Sequence, residues 1–383
     1  MENSRLFDVI DTLYKDYISV WEDVCNIESP TSYKAGVDAV GQYFADMALQ
    51  KGWKVEIFEQ EVSGDVVSIT LNPDVSAPPV TLSGHIDTVH PLASFGSPAA
   101  RVDGERIYGP GTCDCKGGVV AGFMAMDALE RCGFDSRPVR LILQSDEEVG
   151  SEQSGKATIN HICESSRDSV AFLNLEGHTR GEACLIRKGI ATFEFTVCGR
   201  EAHSSRCAEE GANAIAEAAH KIIELEKFKE PLGITCNCGV ISGGSVPNTV
   251  PALCCFKANF RFATHEQLDY ILDYVERVAK TTHVEGCTCK VEQVSSRLPM
   301  QYTQKNAELL DRMNQIFSAC GLPILRSARR SGGSDAAEVT SYGIPCVDSL
   351  GVTGDAIHSP RESAELVSLL ESARRIAAVA YYI

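Results

Sequence analysis

The chain has 383 residues, 44% of them hydrophobic and 23% charged, the balance of a soluble globular protein long enough to bury more than one core. Acidic residues outnumber basic ones by 52 to 35, a formal net charge of −17, which argues against nucleic acid or an anionic membrane as partner. No apolar run approaches a membrane span, and Met1-Glu-Asn-Ser-Arg5 lacks the layout of a signal peptide, so a cytoplasmic protein is expected.

Apolar residues at helical spacing (Leu6, Ile10, Leu13, Tyr17, Trp21) predict a helix over 4–27, and Val37, Val40, Phe44 and Met47 a second over 33–50. Strands are predicted over 53–58, 66–71 and 80–83, a helix over 117–132, and a fully apolar strand over 139–144. A helix around 155–163 and a strand over 170–175 follow. This alternation implies an α/β sandwich with a largely parallel sheet, in which active residues gather where strands end at their carboxyl side. Near Gly189 the rhythm changes. Strand patterns over 191–198, 234–241, 252–262 and 288–294, with helices over 211–228 and 265–279, spell the split βαβ, ferredoxin-like order. Residues 189–297 therefore read as an inserted domain that divides another into 1–188 and 298–383. After it come a helix from Asn306, the turn Gly332-Gly-Ser-Asp335, a short strand over 345–347 and a closing amphipathic helix from Glu362. The 16 cysteines lack paired Cys-x2-Cys spacing, and close pairs such as Cys236/Cys238 fall in apparent strands. They read as reduced thiols acting as small core hydrophobes.

Chemistry concentrates at the strand ends. In Leu82-Ser-Gly-His-Ile-Asp-Thr-Val-His-Pro91, His85 and Asp87 are two apart and emerge on one side of extended backbone. A metal-ligating histidine needs its other ring nitrogen held by an acceptor, usually a carboxylate. Alone the pair is more often an ordinary hydrogen bond. In Tyr108-Gly-Pro-Gly-Thr-Cys-Asp-Cys-Lys-Gly-Gly118, Asp114 sits in a glycine-flanked loop, and its two oxygens can bridge two cations. Ser145-Asp-Glu-Glu-Val-Gly150 abuts a core strand, where consecutive carboxylates repel unless cations or water neutralise them. Adjacent glutamates allow one to ligate while the other moves a proton. With Glu176 and His358 added, nitrogen and oxygen donors suit zinc, with cobalt or manganese chemically possible. Such a set makes a two-metal hydrolytic site.

These motifs together resemble the MH-clan zinc metallopeptidases, the group containing glutamate carboxypeptidase, aminoacylase and succinyl-diaminopimelate desuccinylase. The run Arg101-Val-Asp-Gly-Glu-Arg-Ile-Tyr-Gly-Pro-Gly111 is most similar to the bacterial glutamate carboxypeptidase branch. The resemblance implies a zinc-exopeptidase-like α/β sandwich with a mostly parallel sheet, plus an inserted ferredoxin-like lid through which two chains dimerise. It implies two zinc ions per chain, with His85 and Glu176 on one, Glu148 and His358 on the other, and Asp114 bridging. Glu147 matches the general base and Asp87 the carboxylate behind His85. His203, in Gly199-Arg-Glu-Ala-His-Ser204, matches a histidine that reaches the partner subunit's site and stabilises the oxyanion. Asn248, in Pro247-Asn-Thr-Val-Pro251, matches a residue near the scissile group, and Arg261 one that grips a substrate carboxylate. The Gly332–Asp335 turn, Gly333 included, matches the lining of the specificity pocket. The family's Asp-x peptide at Asp114–Cys115 is cis.

The reading is an amide hydrolase of carboxypeptidase type. It removes a carboxylate-bearing residue, such as glutamate, from a small peptide or N-acyl amino acid, using water activated between the two ions. The runner-up is an aminoacylase or dipeptidase with the same core. A rival of another class is an inactive metal-binding sensor, against which Glu147 weighs.

Overall fold

A computed structural model describes residues 2–231 and 233–383. They cluster into two compact units. The first comprises the chain up to Ile186, Tyr302–Arg329 and Ser334–Ile383; the second comprises Arg187–Gln301 and Arg330–Gly333.

The first unit begins with α1 (Glu2–Asn26) and α2 (Lys34–Gln50). The residues at helical spacing, Leu6, Ile10, Leu13, Tyr17 and Trp21, are all buried, so the apolar stripe of α1 faces the core. Then come β1 (Lys54–Phe58), β2 (Val66–Leu71), β3 (Val80–His85), α3 (Lys116–Arg131), β4 (Val139–Gln144), α4 (Ala157–Ser165) and β5 (Ala171–Asn174). The sheet is completed by β10 (Cys346–Val347), met after the second unit, and its order is β1-β2-β4-β3-β5-β10. The pairs β4/β3, β3/β5 and β5/β10 are parallel, and only β2 runs the other way. Strands β3, β4 and β5 are buried along their lengths apart from Arg140, as expected of parallel strands covered on both faces. The helices α7 (Gln304–Ala319), α8 (Ala336–Ser341) and α9 (Leu366–Tyr382) close the unit. Among the described residues, no helix is long and apolar enough to cross a membrane.

The second unit holds β6 (Gly189–Cys198), α5 (Ala214–Leu225), β7 (Thr235–Gly243), β8 (Leu253–Phe262), α6 (His265–Lys280) and β9 (Thr288–Arg297). Its four antiparallel strands run in the order β7-β8-β6-β9. With βαββαβ connectivity this is the ferredoxin-like arrangement. Alternating residues of β6 and β8 are buried, Phe193, Phe195, Phe256 and Phe260 among them. All four belong to the unit's own core.

Several features were not expected from sequence. A small sheet joins Arg101–Asp103, Arg106–Tyr108, Gly354–Asp355 and Ser363–Glu365, strands too short to carry a periodicity. The closing helix starts at Leu366 rather than Glu362, because Glu362 is drawn into the interior, as described next.

Candidate metal centre

Parallel pairing aligns the carboxyl ends of three neighbouring strands. His85, the last residue of β3, is level with Gln144, the last of β4, and Leu175 N, just past β5, donates to Ser83 O at 2.7 Å. The side chains after each end therefore emerge along one edge: Asp87, then Glu147 and Glu148 in a short 3-10 turn, then Glu176. Two glycines let α3 close over this edge. A Cβ on Gly118 would stand 1.9 Å from Leu175 O, and one on Gly84 would stand 2.8 Å from Val119 Cγ2.

His85 is the hub. Its Nε2 lies 3.1 Å from Asp114 Oδ1 and 3.7 Å from Glu176 Oε1. Its Nδ1 lies 3.0 Å from Asp87 O and 3.4 Å from Asp87 Oδ1. Asp87 is fully buried. Its carboxylate accepts from Thr31 Oγ1 at 2.7 Å and from the backbone N–H groups of Glu147 and Glu148, both at 3.2 Å, so one side chain fixes both the histidine and the glutamate turn. Asp114 reaches the other way, its Oδ2 lying 3.1 Å from His358 Nε2, which is 3.3 Å from Glu148 Oε2. Two donor triads result, His85–Asp114–Glu176 and Asp114–Glu148–His358, each with its donor atoms within 4.8 Å of one another. They share Asp114.

The loop carrying Asp114 is held by Glu362, which is wholly buried. Its Oε1 accepts N–H bonds from Cys113 (2.8 Å) and Asp114 (3.0 Å), and its Oε2 accepts from Gly111 N (3.1 Å) and meets His90 Nε2 at 2.7 Å. A buried carboxylate without such partners would cost several kcal/mol. Sequence reasoning missed Glu362 because its partners lie about 250 positions away, and no local signal marks it. The Asp114–Cys115 peptide is cis, as the resemblance implies. Neither flanking sulfur belongs to a donor triad: Cys113 Sγ faces Val352 O, while Cys115 Sγ accepts from His85 N at 3.0 Å. His358 sits in a hairpin between Gly354–Asp355 and Ser363–Glu365, with its own φ and that of Ala356 at 58°. This left-handed conformation is uncommon outside glycine.

The electrostatics show carboxylates in excess. Burial, with help from Asp114, pushes Glu148 up to about 7. Asp114 and Glu148 together raise His358 to about 10. Burial would raise Asp114 too, but His358 and His85 outweigh it and hold it well below the carboxylate range. Crowded oxygen and nitrogen donors that must borrow protons to coexist are a setting that divalent cations relieve. The donor set fits zinc or a similar ion.

The remaining sequence-derived residues lie in the second unit. His203 pairs with Thr249, and Ser204 N donates to Asn248 O at 2.9 Å, so His203 and Asn248 come together. His203 is exposed, its Nδ1 2.8 Å from Ser205 Oγ. Arg261, on β8, donates from Nε to Asn259 Oδ1 (3.2 Å) and from Nη1 to Ser331 O (3.3 Å). Arg187 Nη1 donates to Gly333 O at 3.2 Å, and a Cβ on Gly333 would stand 2.6 Å from Arg297 Cδ. Arg261, Arg187, Arg297 and Gly333 thus form one neighbourhood. Burial and the like charge of Arg297 lower the pKa of Arg261.

Residues 81–382 match the model of the peptidase family M20/M25/M40. Carboxypeptidase G2 of Pseudomonas sp. (strain RS-16) is 26% identical over 366 residues, 94% of this chain and 86% of that protein. Succinyl-diaminopimelate desuccinylase of Corynebacterium glutamicum is 28% identical over 288 residues, 70% of this chain and 72% of that protein. The solved structure of aminopeptidase PepT from Bacillus cereus superposes with a TM-score of 0.77 at 21% identity, covering 96% of this chain and 98% of that one, a likeness of fold.

Proposed function

The chain belongs to the peptidase family M20/M25/M40 and is a hydrolytic enzyme; from that premise we propose a two-metal amide hydrolase of carboxypeptidase type, acting on small peptides or N-acyl amino acids that end in a carboxylate-bearing residue. The observation that carries this reading is the pair of donor triads sharing Asp114. Bound there, divalent ions, zinc by the donor set, would supply Lewis acidity to the scissile carbonyl and acidify a water molecule. Asp87 keeps the His85 ring in register for its role as a donor. Glu147 takes the proton of the attacking water and returns it to the leaving amine nitrogen. Glu148, its neighbour, stays a ligand.

In the lid, Asn248 orients the scissile group, His203 donates to the oxyanion and Arg261 grips the substrate carboxylate. Support for an anionic substrate comes from arginines gathered around Gly333 in a protein of net charge −17, since a guanidinium fork suits a carboxylate. The likeness to a carboxypeptidase G2 over most of the chain supports the same class. The likeness to a desuccinylase favours, as the second reading, an aminoacylase or dipeptidase. The test is amine release from a Xaa-Glu dipeptide, an N-acyl-glutamate and their carboxamide analogues, with and without chelator. Chelator-sensitive cleavage restricted to the free carboxylates is expected. Equal cleavage of carboxamides would sink the carboxylate requirement.

We further propose a homodimer formed through the second unit, with His203 working in the partner's site. The edge strand β7 supports this, since it exposes Val240 and Ile241 beside backbone groups that no strand of its own sheet pairs. Mixing Glu147→Gln and His203→Ala subunits should then restore up to about a quarter of wild-type activity under random exchange. Proven heterodimers without activity would return His203 to its own chain's site or remove it from catalysis.

A further inference from the structure

Cys236 and Cys238 are two apart on β7, so their sulfurs fall on one side of the strand. There the strand's register with β8 shifts between Asn237 and Val240. Glu226 follows α5 as its C-cap residue. Its Oε1 accepts the Cys238 N–H and its Oε2 pairs with Lys229, whose Nζ also donates to Cys236 O at 2.6 Å. The carboxylate and both sulfurs lie within 4.8 Å of one another. We propose that Glu226, Cys236 and Cys238 form a further cation site, built for Zn2+ or another thiophilic divalent ion and sharing no residue with the strand-end centre.

Three arguments carry it. The donor set is soft, unlike the all-nitrogen-and-oxygen triads, and two thiolates select zinc or cadmium over magnesium or calcium. The geometry is close: with the three donor atoms within 4.8 Å of one another, side-chain rotation can bring them to bonds of about 2.3 Å to sulfur and about 2.0 Å to oxygen, with water in the fourth position. The charge closes. Two thiolates, one carboxylate, one divalent ion and the Lys229 ammonium sum to zero, the same as two thiols with the Glu226–Lys229 pair. Binding is therefore M2+ plus two thiols giving the dithiolate complex and two protons, with no redox step. Cys236 is buried, but Cys238 and Glu226 are half-buried, which leaves an entry side.

The probe is Cd2+, titrated into full-length protein stripped of metal, with the cadmium–thiolate charge-transfer band and proton release as readouts. The triads in the first unit have no sulfur donor and give no such band. Wild type should show one thiolate-bound Cd2+ per chain with about two protons released. Cys236→Ser and Cys238→Ser should each lose the band, and Glu226→Gln should weaken binding about tenfold or more. If Cys236→Ser does not fold, the half-exposed Cys238→Ser decides. A band absent from wild type, or unchanged in Cys238→Ser, overturns the proposal.

Discussion

Two regions of the first unit bury carboxylates, and they differ in what they bury beside them. On α3, Asp127 is almost wholly buried but closed by its own partners: Lys51 Nζ at 2.8 Å, Arg131 Nε at 2.9 Å and the Tyr17 hydroxyl at 2.9 Å. At the strand ends, Asp87, Asp114, Glu148 and Glu176 gather around the two imidazoles of His85 and His358. A carboxylate that only ties helices together brings its cations with it. A site whose carboxylates exceed its cations is arranged for positive guests, and burial sharpens the demand because unneutralised charge is costly in low dielectric.

The sharpest way to break that contrast is to change one glutamate at a time. Glu147→Gln should keep the metal and lose about 10²–10⁴ in rate, the scale of a missing general base. Glu148→Gln should lose metal. Metal content by mass spectrometry alongside turnover separates them, and equal metal loss in both variants would mean the two glutamates are assigned the wrong way round.

Removing Glu362 tests whether support of the ligand loop matters without contact to the guest. Glu362→Gln keeps one carbonyl acceptor but loses the charge behind the N–H bonds of Gly111, Cys113 and Asp114. Metal affinity should fall about 10–100-fold, as it does when groups behind a ligand are altered, with kcat at saturating metal nearly kept. An unchanged affinity would show that the loop holds its shape without that carboxylate.

Glu362 also shows where sequence reading stops. The proximity of His85, Glu148 and Glu176 was legible because each follows the end of a predicted strand and parallel sheets bring such ends to one edge, whereas Asp114 and His358 were placed by their motifs and by the family resemblance. The ferredoxin-like order was legible because alternation in β6 and β8 is clean. By sequence Glu362 is the first residue of the closing amphipathic helix. Its true partners arrive only through the short sheet that joins Arg106–Tyr108 to Ser363–Glu365. Cys236 was read as a core residue and is buried, but nothing local tied it to Glu226.

The smallest expected effect is at the balanced site, and its pH dependence has a definite sign. Burial alone would raise the Asp127 carboxyl, but Lys51, Arg131 and Tyr17 outweigh it and hold its pKa below the ordinary value. An unfolded aspartate titrates near about 3.9. The folded state therefore binds its proton less readily, and the network's contribution is complete above about pH 4. It is lost as pH falls through the lower, folded value. Lys51 and Arg131 are partly solvated, so Asp127→Asn should cost about 1–3 kcal/mol at neutral pH, less than a fully buried broken pair. Urea unfolding of both proteins across the acid range measures the gap. It should be flat above about pH 4 and shrink below it. A gap that stays constant into acid would mean that Asp127 contributes shape rather than charge, and the contrast with the strand-end centre would then rest on the centre alone.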